Sequence, residues 1–323
     1  MSMKSTAVAH PIQGLIKYHG LKDIKLRIPF HDSISVCIGA LHTATTVETA
    51  SSLNQDLIII NGKRAEGNEF RRVQMVFDKI RSITGYSKYF KTVTQNSVTG
   101  GKGLGFSASG FAALGVAACA ALEFDIDYMA LSELVRLGAG SATRSLAGSF
   151  AIWYADKNGK SYAEPIVEPN AFDFSMVIVP VSASIKTDEA HNEVLSSPMF
   201  KARLEHVAKL VKTMKNAIKT GNLATIGRLA EEDSLSLHAS TMTGKTHMIL
   251  WEPETIRIIK AVQQMRLEGI PVWYSIDTGP SVFLNTYTSN MDTVAERLHN
   301  LGFSNTIKSK VGGRPFLIDK HLF

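Results

Sequence analysis

Residues 100–110 read Gly-Gly-Lys-Gly-Leu-Gly-Phe-Ser-Ala-Ser-Gly and lead into the Ala-rich run FAALGVAACAALEF, which predicts a helix. Glycines at this density let the backbone approach an anion closely. The first-turn N–H groups and the dipole of the following helix favour negative charge at the same place. Lys102 offers a charge, Ser107 and Ser109 offer hydroxyl donors, and Gly103, Gly105 and Ala108 offer backbone, so these six are the candidate phosphate-binding residues. The loop lacks the Gly-Lys-Ser/Thr ending of the Walker pattern and the ribose-binding acid of a dinucleotide fingerprint. Taken alone, it reads equally well as a tight strand-to-helix connection capped by serine.

Periodicity outlines the elements that must aim this loop. Tyr89 to Gln95 predicts the strand before it, and Glu69 to Thr84 carries Val73, Val76, Phe77, Ile80 and Ile83 at helical spacing. IKLRIPF, ISVCIGAL, HTATTVETA and DLIIING predict strands, with Asn61 to Lys63 as a hairpin turn. A second helix, Asp127 to Leu137, leads into another Gly- and Ser-rich turn and the strand SFAIWYA. FDFSMVIVPV, from Phe172, predicts a short buried strand. A helix from about Lys201 to Thr220 then places Leu204, Val207, Leu210, Val211, Met214 and Ile218 on one face. Helices at Leu223 to His238 and Pro253 to Glu268, strands PVWYSID and SVFLNT, and a helix near Met291 to Leu301 complete the pattern. The mixture without regular βαβ alternation predicts an α+β protein, divided near residue 180 into units 1–180 and 181–323.

Composition narrows the function classes. The 323 residues are 45% hydrophobic and 20% charged, which excludes wholesale disorder. No apolar run approaches the roughly 18 to 20 residues of a membrane span, and the opening MSMKSTAVAHPIQG has no apolar signal core, so a cytoplasmic protein without membrane contact is expected. Cys37 and Cys119 lie far apart in apolar settings and read as small buried hydrophobes, not as a disulfide or metal site. The 35 Lys and Arg exceed the 29 Asp and Glu, giving +6. They are spread without an Arg-rich tract, an aromatic RNA-binding motif or zinc-finger spacing, so a small phosphorylated molecule fits the excess better than nucleic acid.

Further segments sharpen the anion. Ala9-His-Pro-Ile-Gln-Gly-Leu-Ile-Lys-Tyr-His-Gly20 is followed by Ile28-Pro-Phe-His-Asp-Ser-Ile-Ser35; later come Gly138-Ala-Gly-Ser-Ala-Thr-Arg-Ser-Leu-Ala-Gly148, Asp233-Ser-Leu-Ser-Leu-His-Ala239 and Tyr274-Ser-Ile-Asp-Thr-Gly-Pro280. With the glycine-rich loop, and in this order over nearly the whole chain, they resemble the diphosphomevalonate decarboxylases of the GHMP kinase superfamily. The resemblance implies an N-terminal domain like a ribosomal-protein fold, a ferredoxin-like C-terminal domain, a cleft between them and a homodimer. It also implies a small phosphorylated carboxylate substrate, which loses carbon dioxide after its 3-hydroxyl has become a phosphate. Asp277 matches the family's catalytic aspartate, which deprotonates the 3-hydroxyl or stabilises positive charge at C3. Lys17 matches a lysine that neutralises phosphate charge and favours the ionised Asp277, and Arg144 an arginine that grips the substrate carboxylate through two hydrogen bonds. Tyr18 and Ser141 are implied substrate contacts.

The departures are equally informative. His19-Gly20-Leu21 stands where the family has Trp-Gly-Lys, leaving Lys22 as the nearest replacement lysine, and Ala139 replaces a serine expected at the phosphate end. The family's Ser-Ser-Arg run becomes Thr187-Asp-Glu-Ala-His-Asn192, and Phe106 stands where a hydroxyl should meet ATP. The decarboxylation set is kept while diphosphate- and ATP-binding positions change. That pattern resembles a relative in some archaea that converts mevalonate 3,5-bisphosphate to isopentenyl phosphate, phosphate and carbon dioxide with no cofactor. The alternatives are an ATP- and Mg-dependent diphosphomevalonate decarboxylase giving isopentenyl diphosphate, a mevalonate or phosphomevalonate kinase, and an RNA-binding protein on the same fold. No metal site is expected. His19, His31 and His191 read as hydrogen-bonded polar residues rather than acid–base catalysts.

Overall fold

The computed structural model describes residues 3–98, 103–182 and 187–323. The first stretch runs β1 (Lys4–Ala9), β2 (Ile12–Ile16), β3 (Leu21–Asp23), β4 (Ile28–Pro29), β5 (Ser33–Cys37), β6 (Thr43–Ala50), β7 (Leu57–Ile60), β8 (Lys63–Arg64), α1 (Gly67–Thr84) and β9 (Tyr89–Asn96). Next come α2 (Phe106–Ala121), α3 (Tyr128–Gly138), α4 (Ala142–Ala147), β10 (Phe150–Trp153), β11 (Ala163–Val167) and β12 (Ser175–Val179). The last third holds α5 (Thr187–Glu193), α6 (Phe200–Lys219), α7 (Leu223–Met242), α8 (Pro253–Leu267), β13 (Val272–Ile276), β14 (Val282–Thr286), α9 (Met291–Asn300), β15 (Ile307–Lys310) and β16 (Phe316–Ile318).

The strands form three main sheets, ordered β16-β1-β6-β9-β7-β8, β11-β10-β5-β2 and β13-β14-β12-β15, with β3 and β4 as a separate ribbon. Pairing is antiparallel except between β7 and β9. The first sheet packs on α1, α2 and α3 around Val76, Phe77, Ile80 and Phe90. Phe77 and Phe90 meet with ring centroids 4.5 Å apart, and truncating either to Ala would cost about 3–5 kcal/mol. β12 is buried throughout, and its residues 176–179 are all apolar because both of its faces are covered. Met176 and Ile178 join the core under α6 and α7, while Val177 and Val179 join the core under α8 and α9.

Most predicted elements are present within a few residues, including the Asn61-Gly62 turn between β7 and β8. IKLRIPF is a correction. Residues 24–27 form a turn closed by Leu26 N–H donating to the Asp23 carboxylate, and only Ile28–Pro29 pair, with β3. Ile24 and Leu26 are 66% and 45% exposed, so their β-branched or apolar character follows no buried face. Cys37 and Cys119 are free and buried, as expected. No helix among the described residues is long and apolar enough to cross a membrane.

Candidate active site

The centre of the site is β2, whose five residues are all buried and which is the edge strand nearest the C-terminal unit. Gln13 Nε2 donates to Ser275 Oγ (2.8 Å) and Asn285 Oδ1 (2.7 Å), tying β2 to β13 and β14. One residue on, Gly14 N–H donates to Asp277 Oδ1 at 2.9 Å. A Cβ at position 14 would lie 2.5 Å from that same oxygen, so a larger residue would have to push the carboxylate off the strand. Just past β2, Lys17 Nζ meets Asp277 Oδ2 at 3.0 Å, closing a buried ion pair between residues 260 positions apart. Asp277 itself sits in the turn after β13, where its carbonyl accepts from His238 Nε2 at 2.9 Å.

Arg144 stands beside this pair on α4, a short helix hidden in what the sequence shows only as a Gly- and Ser-rich turn. Its side chain is fully buried between Tyr18 (5.4 Å from guanidinium to ring centroid) and Trp153 (5.6 Å). Nη1 donates to Ser33 Oγ at 2.6 Å, whereas Nε and Nη2 have no partner among the described residues. Burial lowers the guanidinium pKa to about 10, so it stays charged at neutral pH. Two unpaired N–H-bearing nitrogens on a buried cation are a cost unless an anion completes them, and their fork matches a carboxylate. Tyr18 is buried, stacked on His191 at 4.7 Å and edge-on to Trp153 at 4.9 Å. Ser141 is half-buried at the start of α4.

The structure therefore brings Lys17, Tyr18, Arg144 and Asp277 together, with Ser141 opening the helix that carries Arg144. It does not add Lys22, which is exposed on β3 and forms no ion pair among the described residues. His19 Nε2 bonds Thr241 Oγ1 (2.8 Å), His31 Nδ1 bonds the Asp32 carbonyl (2.7 Å), and His191 accepts from Gly20 N–H (3.2 Å). Desolvation pulls His19 well below the usual histidine range and His31 to about 3, so both are neutral at physiological pH.

The glycine-rich loop reaches the same centre. Gly103 lies against Gly279 and Ser281 of the Asp277 turn. Gly105, at φ +76, would drive a Cβ to 2.7 Å from the Ile12 carbonyl of β2. Ser107 is exposed on the first turn of α2. Ser109 is buried with its oxygen 2.6 Å from Thr43 Oγ1, and Ala108 packs on Ile12 and Cys37. Lys102 lies outside the described residues. Alongside α2 runs a cavity of about 200 Å³, lined by Ile58, Asn61, Thr92, Asn96, Phe106, Ser107 and Phe111 among others. Thr92 Oγ1 is buried at its wall without a partner among the described residues. Among the described residues no three or more His, Cys, Asp or Glu cluster as metal ligands.

Gly14, Ser33, Trp153 and Arg203 were missed from sequence. Arg203 carried a signal, since it precedes Val207 by one helical turn on the apolar stripe of α6 and is 2% exposed. Gly14 and Ser33 lie inside segments that carry the resemblance without being singled out there, and Trp153 carried no signal that distinguishes it from an ordinary strand residue.

Comparison with known proteins identifies the family. Residues 9–163 match the diphosphomevalonate decarboxylase-like N-terminal domain and residues 183–315 the mevalonate 5-diphosphate decarboxylase C-terminal domain. The chain belongs to the diphosphomevalonate decarboxylase-like family. The phosphomevalonate decarboxylase of Haloferax volcanii is 38% identical over 98% of both chains. The mevalonate diphosphate decarboxylase of Staphylococcus aureus superposes with a TM-score of 0.93 at 30% identity, covering 99% of each chain. A structure described as MDDEF in complex with MVAPP, AMPPCP and magnesium superposes with a TM-score of 0.92 at 27% identity, covering 99% of this chain and 100% of that one. The family assignment makes this chain a carboxy-lyase of the mevalonate pathway, with the two-domain GHMP kinase fold and a phosphorylated mevalonate as substrate.

Proposed function

We propose that the substrate carries a single phosphate on its 5-oxygen and that the species losing carbon dioxide is mevalonate 3,5-bisphosphate, giving isopentenyl phosphate, phosphate and carbon dioxide. The observation that carries this reading is the depleted phosphate end. Leu21 and Ala139 replace two donors of the family pattern, and the replacement lysine, Lys22, is exposed. The name of the Haloferax volcanii relative supports a phosphomevalonate over a diphosphomevalonate.

In this reading Arg144 holds the carboxylate through Nε and Nη2. The C1–C2 electron pair becomes the C2=C3 bond while the 3-phosphate leaves with the C3–O pair. The Asp277 carboxylate faces the positive charge developing at C3. Lys17 fixes that carboxylate and offsets phosphate charge. A fixed, desolvated charge opposite developing charge is a large catalytic contribution. All of these groups belong to the chain, so the step itself needs no cofactor.

The cavity beside α2 favours a second reading, in which the 3-phosphate is made on the enzyme. The unpaired Thr92 hydroxyl, the exposed Ser107 and the glycine backbone fit a nucleoside triphosphate, and a solved relative carries an ATP analogue with magnesium. ATP would supply the phosphoryl group, and Asp277 would then also take up the 3-hydroxyl proton. Magnesium would rest on phosphate oxygens, for which it needs no carboxylate cluster. We also keep as proposals a cytoplasmic homodimer and the division near residue 180, with β12 reaching forward into the second unit and β16 returning to the sheet of the first.

Product analysis by mass tests the single phosphate. Supplied with the 3,5-bisphosphate alone, the protein should yield isopentenyl phosphate, and 5-phosphomevalonate plus Mg-ATP should give the same product if the 3-phosphate is made on the enzyme. By contrast, 5-diphosphomevalonate plus Mg-ATP can give only isopentenyl diphosphate and should be turned over poorly. A higher kcat/KM for isopentenyl diphosphate formation would overturn the reading, and phosphorylation without carbon dioxide release would make the protein a kinase.

A further inference from the structure

Lys17 is held by more than Asp277. Its backbone N–H donates to Asp233 Oδ2 at 2.8 Å, and its carbonyl accepts from Arg203 Nη2 at 2.9 Å. Arg203 and Asp233 are paired to each other, Nη2 to Oδ1 at 2.9 Å, and each is 2% exposed. A second contact runs from Arg203 Nη1 to the Asp233 carbonyl at 3.3 Å. The partners come from α6 and α7, while Lys17 belongs to the strand end of the other unit. The same helix α7 also grips the far side of the site. Ser234 Oγ accepts from Ile276 N–H at 3.0 Å, and His238 Nε2 donates to the Asp277 carbonyl.

A buried ion pair is a poor source of stability, because taking two charges out of water offsets most of their attraction. This one is spent on a single backbone unit, both of whose polar groups it satisfies. We propose that Arg203 and Asp233 are positioning residues, which set Lys17 against Asp277 so that α7 acts as a ruler between the two halves of the catalytic pair. The inference rests on the decarboxylase reading of the Lys17–Asp277 centre. Neither residue touches the reacting atoms; their effect reaches the substrate through the lysine.

The test uses the double variant Arg203→Met/Asp233→Leu, which removes both charges together and so leaves neither one buried alone. Carbon dioxide release per folded molecule is measured with whichever phosphorylated mevalonate the wild type consumes. A displaced lysine should lower kcat by about 10²-fold while KM changes by no more than about threefold. Asp233→Asn, which retains an acceptor for the Lys17 N–H, should lose less. The decisive arm repeats the double variant in a Lys17→Met background. There the clamp should cost nothing further, because it has no ammonium left to position. Additive losses would overturn the proposal, as would wild-type kcat in the double variant, or a lowered unfolding temperature with turnover per folded molecule unchanged. An inactive wild type would count against the decarboxylase reading instead of the clamp.

Discussion

At the Lys17–Asp277 end both oxygens of the carboxylate are held. The carboxylate is fixed by a backbone N–H and an ammonium, and both charges are less than a tenth exposed. Along the first turns of α2 the chain instead leaves a cavity of mixed polar and apolar lining, an exposed serine and a buried threonine hydroxyl without a partner among the described residues. The first region holds its carboxylate through the chain's own groups, as electrostatic stabilisation of a cation requires. The second is a receptacle whose polar groups are completed only by what fills it. Arg144 joins the two styles, fully buried yet with two nitrogens waiting for an anion.

The contrast can be broken at either end. Asp277→Asn should lower kcat by about 10²- to 10⁴-fold, because it removes charge opposite the developing cation; steady-state carbon dioxide release measures it, and wild-type turnover would remove Asp277 from the mechanism. Gly14→Ala should cost about 10²-fold, since the new methyl collides with Asp277 Oδ1 and shifts the carboxylate without altering any charge. Arg144→Ala should raise KM and lower kcat together, each by about tenfold or more, as loss of a bidentate carboxylate grip predicts. A Michaelis constant equal to the wild type's would place the carboxylate elsewhere. At the receptacle end, Thr92→Val should change the KM for ATP by only a few-fold, the scale of one hydrogen bond of about 1 kcal/mol, with no effect on decarboxylation of the 3,5-bisphosphate.

Stability should also follow the buried histidines. His31 and His238 are both pulled to about 3 by desolvation. Between about pH 6.5 and 3 the unfolded chain binds protons at these rings and the native chain does not, so stability falls as pH falls through that window. A thermal-unfolding series from pH 7 to 5 should show the decline, and His31→Gln should flatten it.

Much of this was readable from residues alone. The motifs around Lys17, Arg144 and Asp277 named the three charges before their geometry was known, although Lys17 and Asp277 are 260 residues apart. Periodicity outlined the amphipathic helices well, because α1 and α6 each bury one stripe. It failed at IKLRIPF, where apolar residues sit in an exposed turn, and at α4, whose six residues are too few to show a helical period. Gly14 was invisible for a different reason. Its importance comes from an atom on another domain, and no local pattern records a close approach made only on folding.

The most direct measurement is single-turnover carbon dioxide release from mevalonate 3,5-bisphosphate in the absence of nucleotide and magnesium. The chain's own charges should suffice, so wild-type protein should release one carbon dioxide and one phosphate per substrate, and Asp277→Asn should be slower by about 10²-fold or more. No release from the bisphosphate, or equal rates in the two proteins, would contradict the account.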